Sequence, residues 1–131
     1  MAAELKIRVL SSIDEVAAAD WDALATARSA TGSANPFVLH AFLSALEQSG
    51  SATADTGWLP QHLALEDDGG NLVGALPCYL KSHSQGEYVF DHGWADAYER
   101  AGGRYYPKLQ VSVPFSPVTG PRLLAAGEVD D

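Results

Sequence analysis

One hairpin in the middle of the chain constrains the fold more than any other feature. Residues 60–66 and residues 72–81 both follow the two-residue period of a β-strand, and residues 67–71 (DDGGN) between them form a tight turn rich in residue types that tolerate positive φ. Pro77 lies inside the return strand, where it predicts a sheet edge or a bulge. The return strand is predicted to place these side chains on one face: Leu72, Leu76, Cys78 and Leu80. Because an isolated hairpin is not stable in water, the rest of the chain must supply further strands and helices.

The remaining segments supply those elements. Residues 4–10 alternate, with Lys6 and Arg8 on one face, and predict a strand with one wet side. Residues 12–15 have the pattern of a capping box at a helix start, and Asn35-Pro36 has the pattern of a second helix start. The other predicted elements are strands at 87–91 and 110–115, a helix at 94–101, and loops at 29–34 and 49–57. The order β-α-α-β-β-β-α-β predicts an α+β (mixed α/β) fold, with helices packed on a largely antiparallel sheet.

Charge and composition exclude several classes of protein. The chain has 131 residues, which suits one domain, and its net charge of −9 argues against a DNA or RNA binder and against docking on anionic lipid. No apolar run approaches the ~20 residues that span a bilayer, and the first residues lack the apolar segment of a secretory signal, so we expect no membrane association. A single cysteine, Cys78, excludes a disulfide framework within one chain, and we expect a reducing, cytoplasmic location.

The stretch from Leu76 to Leu124 carries most of the residues that point to chemistry. It is dense in Tyr, His, Trp and Gly, and it contains the strings YYPKL (residues 105–109) and PFSPVTGPR (residues 114–122). Together with NPF (residues 35–37) and FLSALEQSG (residues 42–50), these strings resemble the N-terminal part of the FemAB-like group within the GNAT (acyl-CoA N-acyltransferase) superfamily. That group is related to the enzymes that add the cross-bridge amino acids of peptidoglycan.

This resemblance implies a GNAT-like half-domain, since members of the family are longer and contain two such halves. Residues 1–124 are expected to form an incomplete N-terminal GNAT-like (FemAB-like) domain, and residues 125–131 an acidic tail. The superfamily's pyrophosphate-binding signature, Gln/Arg-x-x-Gly-x-Gly/Ala, is not found. Residues 100–105 (RAGGRY) come near it, but Tyr105 stands where a small residue must let the backbone approach phosphate, and a helix that ends at glycine explains them better. We therefore expect no cofactor on this chain, and acyl-CoA or aminoacyl-tRNA as the donor for the intact protein.

The resemblance also implies a substrate-binding groove in the latter half of the chain, while the residues themselves leave alternatives open. Lys108 either holds an anionic group of the substrate or packs at the surface. Tyr105 and Tyr106 are candidate donors to a leaving group or carbonyl, with half-buried packing expected for one of the two. Arg122 either recognises a carboxylate or phosphate or forms a surface salt bridge. The residues expected to bind substrate are Tyr79, Lys81, His83, Tyr105, Tyr106, Lys108 and Arg122. No catalytic residue is assigned.

Several further residues have ordinary explanations that compete with a chemical role. Four of them lie close in sequence but match no zinc spacing, so no metal site is expected: His83, Glu87, Asp91 and His92. His62 is a candidate general base, with a solvated strand histidine as the more ordinary interpretation. Cys78 has no local base that would lower its pKa, and it is interpreted as a core residue.

Three classes of function remain. In the first, the intact protein is a GNAT-type N-acyltransferase or aminoacyltransferase that transfers an acyl group to a small-molecule or peptide amine acceptor, and this chain supplies the acceptor-side half. In the second, the chain is a non-catalytic GNAT-like binding module. In the third, it is a dimerisation module that forms a homodimer through an exposed sheet edge. Neither a Gly-x-Ser-x-Gly elbow nor a Walker loop is found.

Overall fold

The computed structural model describes residues 4–27 and 35–126, so the predicted loop at 29–34 and most of the acidic tail lie outside the described residues. Within the described residues the fold is α+β, as predicted. The strands are β1 (Lys6–Leu10), β2 (Trp58–Pro60), β3 (His62–Glu66), β4 (Leu72–Leu76), β5 (Tyr79–Lys81), β6 (Lys108–Gln110) and β7 (Leu124–Ala125). The helices are α1 (Ala18–Thr26), α2 (His40–Gln48) and α3 (His92–Arg100), and short 3-10 turns cover Ile13–Glu15 and Pro36–Val38.

The described residues form two antiparallel sheets, and the larger one contains the predicted hairpin. Its strand order is β1-β3-β4-β7, and the β3–β4 pair sets Leu63 opposite Leu76. The predicted turn is confirmed, because the Asp67 side chain accepts the backbone N–H groups of Gly69 and Asn71. Helix α1 packs against β4 and β7 on one face of this sheet and also contacts α2. The main core lies there and contains Ile13, Trp21, Leu24, Ala25, Val38, Leu43, Ala75, Val113 and Leu124.

The predicted return strand at 72–81 is wrong as one strand, because the chain changes sheets at Pro77. Strand β4 ends at Leu76, and β5 belongs to a second sheet with the order β2-β5-β6. Pro77 has no backbone N–H to give to a ladder, and the Cys78 N–H bonds instead to Nδ1 of His62. The predicted apolar face therefore does not continue into β5, where Tyr79 is fully buried and Leu80 is half-buried.

The two predicted caps are confirmed, but each precedes a 3-10 turn, and the α-helix begins after that turn. Ser12 and Glu15 form the predicted capping box, yet it encloses only a 3-10 turn, and α1 starts at Ala18 without a side-chain cap. Asn35 accepts the N–H of Phe37 as expected, and it likewise caps a 3-10 turn that precedes α2. The predicted helix at 94–101 is confirmed as α3.

Two predicted strands in the latter half are wrong. Residues 87–91 form no strand, because Tyr88 has φ 57° and Glu87 turns inward to form ion pairs. The strand predicted at 110–115 lies earlier, as β6, and the chain beyond it is irregular where Pro114 cannot donate to a ladder.

The outer face of the larger sheet is open. Strand β1 is confirmed, but the apolar side chains that alternate with Lys6 and Arg8 do not face a core: Leu5, Ile7 and Val9 are 54%, 70% and 59% exposed. Ile7 borders an apolar groove of about 630 Å³ together with Leu63, Leu65 and Leu123. The described residues therefore cover only one of the two faces of this sheet.

Candidate functional site

Lys108, the first residue of β6, is the centre of a polar cluster on the second sheet. Its ammonium donates to Ser84 Oγ at 3.2 Å, to Glu87 Oε2 at 3.0 Å and to Asp91 Oδ2 at 2.5 Å. An ammonium has three hydrogens, so all three are committed to partners within the chain. We call the group the lysine–carboxylate cluster; it contains Lys81, Ser84, Glu87, Asp91, Tyr105, Tyr106 and Lys108.

The inner side of the cluster rests on Trp58. Lys81 is fully buried, and its Nζ lies 3.6 Å from the centre of the Trp58 ring and 3.5 Å from Glu87 Oε1. The carbonyl of Gln85 accepts from both Lys81 Nζ, at 2.6 Å, and Trp58 Nε1, at 3.2 Å. A cation over an indole face is stabilised by the ring quadrupole, and Glu87 supplies a counter-charge.

Two tyrosines form the outer side of the cluster. The Tyr105 hydroxyl donates to Asp91 Oδ2 at 2.5 Å, and the hydroxyls of Tyr106 and Ser84 are hydrogen-bonded to each other. The Tyr105 and Tyr106 rings pack edge to face with their centres 5.1 Å apart. The outer members of the cluster retain partial exposure, as seen for Asp91, whose side chain is 18% exposed. A ligand can therefore reach this side of the cluster and not the Trp58 side.

The loop between β5 and α3 carries three members of the cluster, and local sequence explains its path. Gly86 has φ 80°, and a Cβ at this position would lie 2.8 Å from the Phe115 ring. His83 holds the loop from below, since its Nε2 donates to the Thr56 carbonyl at 2.8 Å and its Nδ1 accepts the Gln85 N–H at 3.0 Å. These constraints direct the side chain of Glu87 inward.

Electrostatics fix the charge state of the cluster. Burial alone would raise the pKa of Asp91, but hydrogen bonds from Lys108, Tyr105 and Ser84 outweigh it and hold that pKa below its usual range. Burial opposes the charge of Lys108, yet its bonds to Asp91 and Glu87 raise the pKa of this lysine. Lys108 is therefore charged near neutral pH, and it acts toward Ser84 as a hydrogen-bond donor rather than as a base.

Four of the seven residues expected to bind substrate meet in the cluster: Lys81, Tyr105, Tyr106 and Lys108. His83 lies next to it and anchors the loop. Tyr79 is fully buried against Trp58, and its hydroxyl has no hydrogen-bond partner among the described residues. Arg122 bonds to carbonyls of its own turn, those of Val118, Gly120 and Pro121.

The sequence does not predict the role of the carboxylates. Its pattern offers Glu87 and Asp91 only as metal ligands, yet they pair with Lys108, which follows them by 21 and 17 residues. Nothing in the sequence marks Ser84. No local pattern marks these pairings, because they depend on where β6 joins the second sheet. In the part of the chain that the structure describes, no group of three His, Cys, Asp or Glu side chains is arranged to hold a metal ion.

A second buried polar pair lies under α2. His62 Nε2 is 2.9 Å from Glu47 Oε2, and His62 is fully buried rather than solvated, so that interpretation is wrong. Its Nδ1 accepts the Cys78 N–H, so its Nε2 carries the hydrogen that it donates to Glu47. With both ring nitrogens engaged, His62 is not available as a general base. Glu47 also borders an open cleft of about 350 Å³, together with Asp14 and Gln48.

Most of the chain is similar to a known protein family. A family model described as peptidoglycan biosynthesis/recognition matches residues 12–131. The chain belongs to the FemAB-like family. This confirms the FemAB-like resemblance carried by residues 105–109 and 114–122, while the link to the GNAT superfamily stays a prediction. Residues 105–108 supply three members of the cluster. A FemAB-like chain fits a broad transferase role in peptidoglycan biosynthesis. No curated protein and no solved structure matches the chain significantly. Across the described ranges 4–27 and 35–126, no helix combines the length and the apolar character that crossing a membrane requires.

Proposed function

We propose that this FemAB-like chain is the acceptor-side part of an aminoacyl- or acyltransferase that acts on a peptidoglycan precursor. The observation that carries the proposal is the meeting of Asp91, Tyr105 and Lys108 in one partly exposed cluster, in a family linked to peptidoglycan biosynthesis. The acceptor would be a peptide amine, in keeping with the cross-bridge chemistry of related enzymes.

The chemistry of the cluster suits acceptance of an acyl group by an amine. Such a reaction needs an amine held in one orientation, and positioning supplies much of the rate enhancement in reactions of this kind. Asp91 remains a carboxylate at neutral pH. Its Oδ2 already accepts from Tyr105 and Lys108, and its buried Oδ1 has no partner among the described residues, so Oδ1 is the oxygen that would accept from an acceptor amine once the side chains over it move. The hydroxyls of Ser84 and Tyr106 are hydrogen-bonded to each other, and the oxygen of a carbonyl under attack would have to take over the hydrogen of one of them.

Aromatic side chains near Asp91 suit the rest of such an acceptor. Tyr88, Phe90 and Trp94 are 62%, 83% and 78% exposed. Exposed aromatic rings offer flat apolar contact area at low cost in conformational entropy, which favours a peptide or sugar ligand. The donor, acyl-CoA or aminoacyl-tRNA, is proposed to bind outside this chain, because the pyrophosphate signature is absent from its 131 residues.

The test is a transfer assay with the full-length protein, labelled aminoacyl-tRNA or acyl-CoA, and a soluble peptidoglycan-precursor peptide. We expect Asp91→Asn to lower transfer at least tenfold, on the order of 10²-fold if positioning of the amine is lost. The control is Glu99→Gln on the exposed surface of α3, which should keep full activity. The absence of transfer from either donor, or full transfer by Asp91→Asn, would contradict the proposal.

A non-catalytic dimerisation module is the second candidate, and the open apolar face of the larger sheet favours it. Ile7 is 70% exposed and Leu123 is 75% exposed on that face. Burial of such surface between two copies would be stabilised by roughly 25 cal/mol per Å² removed from water. Sedimentation equilibrium should then show dimers that Ile7→Asp converts to monomers, whereas a monomer at every concentration would exclude this candidate.

A further inference from the structure

We propose that Glu87 is a positioning residue for Lys108, and that the buried Lys81 holds Glu87 in place. Neither side chain would touch the substrate; both act through Lys108. This inference rests on the proposed function, because positioning matters only where the outer side of the cluster binds an acceptor. It assigns to Lys81 a role different from the substrate contact expected from the sequence.

The geometry of Glu87 divides its two oxygens between two lysines. Oε2 accepts from Lys108 at 3.0 Å, and Oε1 faces Lys81 at 3.5 Å and has no hydrogen-bond partner within the described residues. The Glu87 side chain is 4% exposed, so it is out of reach of a ligand in solution. One carboxylate thus joins a fully enclosed ammonium to a partly exposed one.

Lys81 is fixed from three sides, which makes it a firm support. Its ammonium lies on the Trp58 ring, donates to the Gln85 carbonyl and faces Glu87. Removing one partner of a buried ion pair leaves an uncompensated charge, so removal of the Lys81 charge leaves the Glu87 carboxylate with one counter-charge fewer. Since Glu87 is shared, its remaining charge would then act on Lys108 alone. The arrangement predicts that the two lysines compete for one carboxylate.

The chain offers a clean readout of that competition, because it contains three lysines: Lys6, Lys81 and Lys108. Labelling lysine at Cε with ¹³C gives one NMR signal for each, and the exposed Lys6 serves as an internal reference. Titration of the full chain follows the pKa of Lys108 directly. No transfer activity is needed for this measurement, so it decides the inference separately from the proposed function.

The expected results differ in direction between variants. Glu87→Gln keeps the shape of the side chain and removes its charge, so the pKa of Lys108 should fall. Lys81→Met should raise the pKa of Lys108, because Glu87 then serves one ammonium only, and Lys81→Arg should restore the wild-type titration. A pKa of Lys108 that stays unchanged or falls in Lys81→Met would contradict a carboxylate shared between the two lysines.

Glu87→Gln keeps the inference testable even where Lys81→Met does not fold. An unchanged pKa of Lys108 in Glu87→Gln would overturn it. In the transfer assay, Glu87→Gln should lower kcat about tenfold with little change in KM for the donor, as expected for a misplaced acceptor group. If the titration follows the prediction but the protein has no transfer activity, the proposed function is contradicted. The coupling of Lys81, Glu87 and Lys108 is then still supported.

Discussion

His62 and Glu47 form a buried pair in which the histidine is held at both nitrogens. The imidazole donates to Glu47 at 2.9 Å and accepts the Cys78 N–H at 3.1 Å. Glu47 also accepts the backbone N–H of Ile13 at 3.0 Å. One carboxylate on α2 therefore ties together the turn before α1, the start of β3 and the point where the chain changes sheets.

Replacement of this carboxylate should be costly. Glu47→Ala leaves the Ile13 N–H and the His62 Nε2–H without their acceptor, and an unpartnered buried donor costs roughly 1–3 kcal/mol. We expect the free energy of unfolding to fall by about 3 kcal/mol in urea titrations. Glu47→Gln keeps one acceptor oxygen and should cost about half as much. A loss by Glu47→Ala no larger than that of the exposed control Glu99→Ala would refute this account.

The loop glycine Gly86 should tolerate no side chain. Its φ is 80°, and a Cβ there would lie 2.8 Å from the Phe115 ring and 3.1 Å from Trp58 Nε1. We expect Gly86→Ala to cost about 3 kcal/mol, since overpacking adds to the strain of positive φ. Gly70 is the matched control, because its φ of 76° is similar and nothing lies within 4 Å of a Cβ. Gly70→Ala should cost only about 1 kcal/mol, and equal losses for the two variants would contradict the packing argument.

Asp91 should make the protein sensitive to acid. Its pKa is lowered in the folded state, whereas in the unfolded chain it is about 3.9. Below about pH 4 the unfolded chain binds a proton that the folded chain does not, so this contribution to stability is present at neutral pH and lost as the pH falls. Urea titrations between pH 7 and pH 3 should show a steeper loss in wild type than in Asp91→Asn. Parallel curves would exclude the effect.

Substitution of two isoleucines should change the free energy of unfolding by very different amounts. Ile13 is fully buried in the main core, and Ile13→Ala should lower the free energy of unfolding by about 3 kcal/mol. Ile7 is 70% exposed on the open face, so Ile7→Thr should change it by less than about 0.5 kcal/mol at concentrations where the chain is monomeric. A large loss for Ile7→Thr in a monomer would mean that the open face is covered.

The sequence predicts those features of the fold that depend on residues only a few positions apart. The turn at 67–71, the caps at Ser12 and Asn35, and helix α3 follow from residue types a few positions apart. Pro77 predicts a sheet edge or a bulge but not the change of sheet, because a missing N–H shows where a ladder is interrupted and not where the chain goes next.

The candidate site was predicted in part for the same reason. Tyr105, Tyr106 and Lys108 stand in one string of sequence, so they were expected to act together, and they do lie together. The sequence predicts a strand at 87–91, in which successive side chains point to opposite faces and Glu87 has no defined partner. Its actual inward position depends on Tyr88 at φ 57° and on two lysines from other strands, which no local pattern reports.

The pairing of two ammonium groups with two carboxylates in the cluster has a consequence for the approach of a charged donor. These four charges cancel, so the chain's excess of −9 resides outside the cluster. Under the proposed function the donor is a tRNA or a CoA thioester, which bears several phosphates and would be repelled from afar by this acidic chain. Added salt should therefore hasten, not slow, the encounter between such a donor and this chain.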